Sequence, residues 1–190
     1  MKLTSARRLA PFALFSVVAA LAACGTAKFK PTPPTVVIPG NLSAPATDSL
    51  VRTLWADGVQ IYECRAKADG AGFPEWVFVA PDAKLVDSNG VLLGHHYAGP
   101  TWEAGDGSKV VGVMKAKVDA PKPGDIPWLL LVTHSTGKPG LFANVTTIQR
   151  VATEGGAAPG TGCGTATVGK QVSVPYKAQY AQYAQYAPTL

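Results

Sequence analysis

Short runs of β-branched and aromatic residues, separated by glycine and proline, make up most of this chain. In residues 59–65 (VQIYECR) the side chains alternate with a period of two, which places Gln60, Tyr62 and Cys64 on one face of a strand. Residues 76–80 (WVFVA) and 127–132 (PWLLLV) are continuous apolar runs, typical of strands covered on both faces. No ten residues show a capped apolar stripe at helical spacing. The pattern predicts an all-β domain, either a single sandwich or a closed barrel, of about eight short strands.

Glycine-containing pairs mark the expected turns between these strands. Asp57-Gly58, Asp69-Gly70, Asn89-Gly90 and Asp106-Gly107 supply the positive φ angles of tight hairpin turns, and prolines crowd residues 121–127. We therefore expect the chain to reverse at each of these places.

The densest polar and aromatic stretch, residues 94–103 (GHHYAGPTWE), falls between two of these turns. The pattern predicts a return strand over residues 92–97, a turn at Gly99-Pro100 and a further strand over 101–103. Trp102 is expected to be a core or rim aromatic. We interpret the stretch as mainly a corner of the fold.

The histidines of the chain raise the alternative of a metal or catalytic site. Adjacent strand residues point to opposite faces, so His95 and His96 do not reach one ion on a regular strand. The alternative is a cluster of His96, His134 and Glu103, which would make the protein an envelope hydrolase or a metal-binding protein. With Trp102 these three residues form the candidate ligand pocket. No zinc-binding motif is present, and we predict neither a metal nor a cofactor.

Other motifs favour binding over catalysis. The serines lack a nucleophile elbow, and the glycines of residues 155–169 are not a dinucleotide fingerprint, so the catalytic residues stay unassigned. Four tryptophans offer ring faces that suit a glycan or a peptide. The domain is expected to be a structural or ligand-binding module rather than an enzyme.

The first residues resemble an export signal. Positive residues precede an apolar run from Leu9 to Leu21, which is too short and too rich in small residues for a retained membrane helix. Leu21 to Cys24 resembles a bacterial lipobox, in which the cysteine is acylated after cleavage; an ordinary signal peptide is the alternative. Gly25 then points to the outer membrane, with the lipid as the membrane contact.

The predicted organisation has four parts. Residues 1–23 are the lipoprotein signal peptide, and 24–35 are the lipidated N-terminus and a proline-rich tether. Residues 36–180 form the β-domain. The tail, 181–190, continues an Ala-Gln-Tyr repeat whose period of three matches neither a strand nor a helix, so it is expected to fray.

The charge of the chain belongs largely to the leader. The whole chain carries a net charge of +5, but three of its 17 Lys and Arg residues and none of its 12 Asp and Glu residues precede Cys24. The mature chain therefore carries +2, and no basic run supports binding of nucleic acid. Cys64 and Cys163 are the remaining cysteines, and in an oxidising compartment this pair predicts one disulfide; free thiols are the alternative.

Four strings resemble a family of secreted bacterial and fungal proteins known as a domain of unknown function. They are GVQIYEC (58–64), HYAGPTWEAGDGSKVVG (96–112), IPWLLL (126–131) and TTIQRVATEGGAAPGTGC (146–163), in the family's order. The resemblance implies a β-rich exported domain, and its matching cysteines imply the disulfide. It implies no activity.

Overall fold

The computed structural model of the protein describes residues 36–67, 70 and 72–185. The predicted signal peptide, lipidated Cys24 and tether lie outside the described residues, as does the end of the tail from residue 186. No helix in the described part has the length and apolar character needed to cross a membrane. The strands are β1 (Asp48–Arg65), β2 (Glu75–Val86), β3 (Leu92–Tyr97), β4 (Thr101–Ala104), β5 (Lys109–Val118), β6 (Trp128–Ser135), β7 (Thr147–Gly155) and β8 (Gln171–Gln185), with single 3₁₀ turns at Gly40–Leu42 and Thr165–Thr167.

The eight strands form one closed barrel in sequence order. Each strand pairs antiparallel with the next, and β8 pairs with β1 to close the sheet. The closing pair is the longest contact of the barrel, since its register extends from Asp48–Gln185 to Glu63–Gln171. The predicted all-β class is confirmed, in its closed-barrel form. The strands are less uniform than expected, because β1 has 18 residues and β4 has four.

The predicted hairpin around residues 94–103 is present. Gly90 has φ 76° and Gly99 has φ 116°, so both turns use a backbone conformation that favours glycine. The turn predicted at Asp57-Gly58 is wrong, because both residues lie inside β1. A Cβ at Gly58 would lie 2.1 Å from the carbonyl oxygen of Asp82 on β2. This glycine therefore permits a close approach of two strands rather than a turn.

The last strand extends further than the tail pattern predicted. β8 continues five residues past position 180 and ends at Gln185. Because the tyrosines of the Ala-Gln-Tyr repeat are three residues apart and side chains alternate along β8, Tyr180 points into the barrel and Tyr183 lies on the outer wall. The hydroxyl of Tyr183 donates to Gln149 Oε1 there, at 2.7 Å.

Two hydrophobic clusters lie on opposite sides of the barrel wall. The larger one fills the interior, and the smaller one lies outside β6 and β7, where Leu42 packs on Trp128 and Leu130. Val36 and Ile38 also pack against this outer cluster. The N-terminal segment therefore covers the outside of β6, which explains its continuous apolar run (127–132). The interior cluster contains Leu54, Ala56, Ala83, Leu85, Trp102, Ala104, Val110, Ile126, Leu131, Phe142, Val145, Ile148, Tyr176, Ala178 and Tyr180.

The disulfide predicted from the sequence is confirmed. Cys64 at the end of β1 is bonded to Cys163, 99 residues later in the β7–β8 loop. The same loop is held by the Trp76 Nε1–H, which donates to Thr161 O at 2.9 Å, and by the Tyr62 hydroxyl, which donates to Gly156 O at 2.7 Å. We call this end, which carries the β1–β2, β3–β4, β5–β6 and β7–β8 connections, the upper end of the barrel.

Removing the disulfide is expected to destabilise the domain. Replacing Cys64 and Cys163 together by alanine frees a loop of about 100 residues in the unfolded chain, which should cost about 2–5 kcal/mol and several degrees of melting temperature. Differential scanning calorimetry of the oxidised wild type and the double variant measures this. Equal melting temperatures would contradict it.

Candidate ligand pocket

A pocket of about 320 Å³ opens near the upper end of the barrel. It arises from unequal strand lengths: β3 and β4 have six and four residues, whereas β2 and β5 beside them have 12 and ten. The wall is therefore low at the β3–β4 turn, and the interior reaches solvent there. The pocket is lined by Phe78, Val79, Pro81, His96, Gly99, Pro100, Trp102, Leu129, Leu131, Arg150 and Tyr180.

The floor of the pocket is built from three buried rings. His96 stacks on Trp102 with ring centroids 4.3 Å apart and planes 16° from parallel, and Tyr180 meets both rings edge-on. The mouth is different, since Phe78 is 49% and Val79 is 38% exposed. The apolar run at residues 76–80 is thus only partly covered, because its inner side borders the pocket.

Glycine makes room for the tryptophan of the floor. A Cβ at Gly112 on β5 would lie 2.9 Å from Trp102 Cζ3 and 3.2 Å from Leu131 Cδ2. The indole Nε1–H is buried and has no hydrogen-bond partner among the described residues. A buried donor of this kind is costly unless water or a ligand bonds it.

His96 is held in a single neutral form. Its Nδ1–H donates to the carbonyl oxygen of Thr101 at 2.9 Å, so Nε2 carries the lone pair of the neutral ring. Burial lowers the pKa of His96 to about 3, and the charge of Arg150 lowers it further, while the bond to Thr101 opposes the shift. At neutral pH the imidazole therefore presents an acceptor rather than a charge.

The cationic side chain of Arg150 projects from β7 into the pocket. Arg150 pairs in register with Leu129 on β6 and with Tyr180 on β8, which face the interior. Its Nε and Nη2 both donate to Pro127 O, at 3.1 and 2.8 Å. The buried Tyr180 hydroxyl lies beside Arg150 and the Tyr176 hydroxyl, and burial raises its pKa while the charge of Arg150 and these two neighbours oppose the rise. Tyr180 therefore stays protonated and can donate.

The structure brings together two of the four residues predicted for the pocket. His96 and Trp102 face each other inside the barrel. Glu103 lies on the outer wall, where it accepts a hydrogen bond from the Tyr97 hydroxyl and lies 3.5 Å from Lys109 Nζ. His134 is exposed on the outer face of β6. Glu103 and His134 therefore do not belong to this pocket.

The same placement separates the three proposed metal or catalytic ligands. His96 points inward while Glu103 and His134 point outward, so the wall of the barrel lies between them. Among the described residues no three His, Cys, Asp or Glu side chains come close enough to share an ion. His95 is exposed while His96 is buried, as strand alternation predicted.

Sequence reasoning missed Arg150 and Tyr180. A signal was present in residues 147–153 (TIQRVAT), where alternation puts Arg150 on the same face as Ile148, a core position. An arginine at an inward strand position is unusual, because an unpaired buried charge is costly.

The lining of the pocket suits binding better than covalent chemistry. Among the described residues its lining has no serine, cysteine or carboxylate, and its imidazole is held neutral by burial. Its polar atoms are mainly donors: the guanidinium of Arg150, the hydroxyl of Tyr180 and the indole N–H of Trp102. Such a site can orient a molecule that offers acceptors, with apolar walls around the rest.

Comparison with known families gives one match. A family model described as "Protein of unknown function (DUF3455)" matches residues 45–184. The chain belongs to this family. The DUF3455 match contains every pocket-lining residue, both disulfide cysteines and nearly all of the barrel. No curated protein and no solved structure matches the chain significantly.

Protonation of His96 should oppose folding in acid. From pH 6.5 down to about 3 the unfolded chain binds a proton at His96 that the folded barrel does not, so the free energy of unfolding falls with pH. Between pH 7 and 4.5 the wild type should lose about 3 kcal/mol more than His96→Phe, which keeps a ring but does not titrate. Urea unfolding at both pH values measures the difference.

The matched control is the neighbouring exposed histidine. His95→Phe should lose stability with falling pH as the wild type does, because His95 points to solvent. If His96→Phe and the wild type weakened equally in acid, a buried neutral His96 would be contradicted.

Proposed function

We propose that this protein is a cell-envelope lipoprotein whose barrel holds a small, largely apolar molecule. The pocket of about 320 Å³ is the observation that carries the binding role. Barrels of eight strands have an interior just wide enough to be filled by side chains or to hold one small ligand. Here the lower part is filled and the upper part is left open on the side of the β3–β4 turn.

The chemistry of the walls supports an apolar ligand. Water inside the pocket meets mostly carbon, so it is poorly bonded, and its displacement by an apolar group favours binding. The pocket has the volume of about ten liquid waters. That volume suits a molecule of one or two rings, and the flat faces of Trp102 and His96 favour a planar one.

A glycan or an extended peptide fits the structure less well. Of the four tryptophans, Trp102 and Trp128 are buried, and the Trp76 indole is bonded to the backbone of a loop. Trp55 lies at the other end of the β1–β2 pairing from Trp76, opposite Val86. The described domain therefore offers no open platform of paired tryptophans of the kind expected for a glycan.

The membrane anchor is the second half of the proposal. It is supported by the lipobox-like Leu21 to Cys24, by Gly25 and by the proline-rich residues that follow. Residues 36–42 pack on the outer wall of β5, β6 and β7. An acylated Cys24 would hold the barrel close to the outer membrane.

Occupation of the pocket is tested with a neutral fluorescent probe. N-phenyl-1-naphthylamine should bind the purified domain with about one site, and Val79→Trp should abolish or strongly weaken binding because the indole fills the mouth. Val132→Trp is the matched control, since Val132 is 47% exposed on the outer face of β6. Saturable binding that is lost in the first variant alone supports the proposal. Absent binding, or equal binding by both variants, overturns it.

The anchor is tested in the cell. Cys24→Ser should move the protein from the membrane fraction to the soluble periplasmic fraction, because the acylated thiol is lost. Globomycin should block processing of the wild type. Unchanged membrane association together with normal processing would refute lipidation at Cys24.

A further inference from the structure

The guanidinium of Arg150 is a charge in the pocket for which the described residues supply no counter-ion. It projects from β7 into the interior, and the ion pairs of the described residues join other side chains, so no carboxylate lies within 4.0 Å of it. A cation taken partly out of water without a counter-ion is costly. A partner of opposite charge from outside the described chain would offset this cost.

The hydrogen bonds of Arg150 leave one edge of the guanidinium available. Nε and the near side of Nη2 are occupied by Pro127 O, at 3.1 and 2.8 Å. These bonds fix the plane of the group. The guanidinium also lies beside the Tyr180 hydroxyl, and no carboxylate of the described residues pairs with its remaining N–H groups, on Nη1 and the far side of Nη2. Two parallel N–H groups on one edge match the two oxygens of a carboxylate.

The neighbouring Tyr180 and Trp102 carry donors, while His96 Nε2 is an acceptor in the lining. Tyr180 is fully buried beside Arg150 and Tyr176, and the buried indole N–H of Trp102 on the floor lacks a hydrogen-bond partner among the described residues. A ligand group that satisfies these atoms must be rich in acceptors and able to balance a positive charge. The aromatic floor and the leucines of β6 leave only apolar surface for the rest of the molecule.

We infer that the pocket selects small organic acids, with the carboxylate on the free edge of Arg150 and an apolar, preferably aromatic, body against Trp102. This inference rests on the proposed binding function and names its ligand class. Arg150 is then the specificity-determining residue. A neutral molecule of the same shape leaves the guanidinium unpaired and binds more weakly.

The test compares an acid with its uncharged counterpart. 2-Naphthoate and 2-naphthamide have the same ring system and differ in charge, and each can displace N-phenyl-1-naphthylamine from the wild-type domain. The acid should bind roughly ten- to hundredfold more tightly than the amide, as expected for hydrogen bonds to a charged group. This comparison needs no variant, so it stands even if substitutions at Arg150 harm folding.

Substitution of Arg150 assigns the preference to this residue. Arg150→Met should reduce the preference for the acid to about one while leaving the affinity for the amide within a few-fold. Arg150→Lys should keep the charge but lose part of the preference, because a lysine does not offer two parallel N–H groups. Arg65→Met, at an exposed site on β1, is the matched control and should change nothing.

The outcomes separate this inference from the proposed function. Binding of the neutral probe with no preference for the acid, or a preference that survives Arg150→Met, overturns selection of acids by Arg150 and leaves the pocket intact. Failure of the wild type to bind the neutral probe at all overturns the binding function itself, and the ligand class with it.

Discussion

Pairing between the first and last strands closes the sheet, and this closure sets the environment of every other residue. Asp48 lies opposite Gln185 and Glu63 opposite Gln171, so two segments that are more than a hundred residues apart in the sequence become neighbours. Closure removes both exposed sheet edges and divides the side chains into inward and outward sets. The disulfide at the upper end joins β1 to the loop that leads into β8, and it strengthens the same closing contact.

The pocket follows from an interruption in the closed wall. The β3–β4 hairpin is shorter than its neighbours, so the interior behind it is not covered by strand. Buried His96 and Trp102 lie below this gap and Arg150 reaches it from β7. In a barrel filled by side chains an inward arginine would have no counter-ion, whereas in a barrel that binds an organic acid the ligand would supply one. Binding of an acid would therefore explain both the short β3–β4 hairpin and the unpaired cation.

The local features of this fold could be predicted from sequence because they depend on neighbouring residues. The hairpin at residues 89–104 could be predicted from its turn residues. Strand alternation alone placed His95 and His96 on opposite faces. The disulfide followed from the cysteine pair and the export signal. The turn prediction at Gly58 was wrong, because the position requires glycine for a close approach to the carbonyl of Asp82. The sequence does not show that Asp82 lies beside it. The reach of β8 to Gln185 likewise depends on pairing with β1 and β7.

The candidate site was predicted less completely, for a reason of geometry. Strand alternation in residues 128–134 puts His134 on the same face as Trp128 and Leu130, and the structure has it there. Sequence could not show that this face is the outside of the barrel, covered by residues 36–42. The pocket itself depends on the relative lengths of strands, and Arg150 appeared as one charge among many until β7 was placed against β6 and β8.

The most direct measurement of the central claim is the indole N–H spectrum of the ¹⁵N-labelled domain during titration with 2-naphthoate. The chain has four tryptophans, of which Trp102 forms the floor of the pocket and Trp128 lies in the cluster outside the wall. The account predicts a saturating shift of the Trp102 signal, with Trp128 unchanged. An unmoved Trp102 signal at concentrations that shift Trp128 or Trp76 would contradict binding inside the barrel.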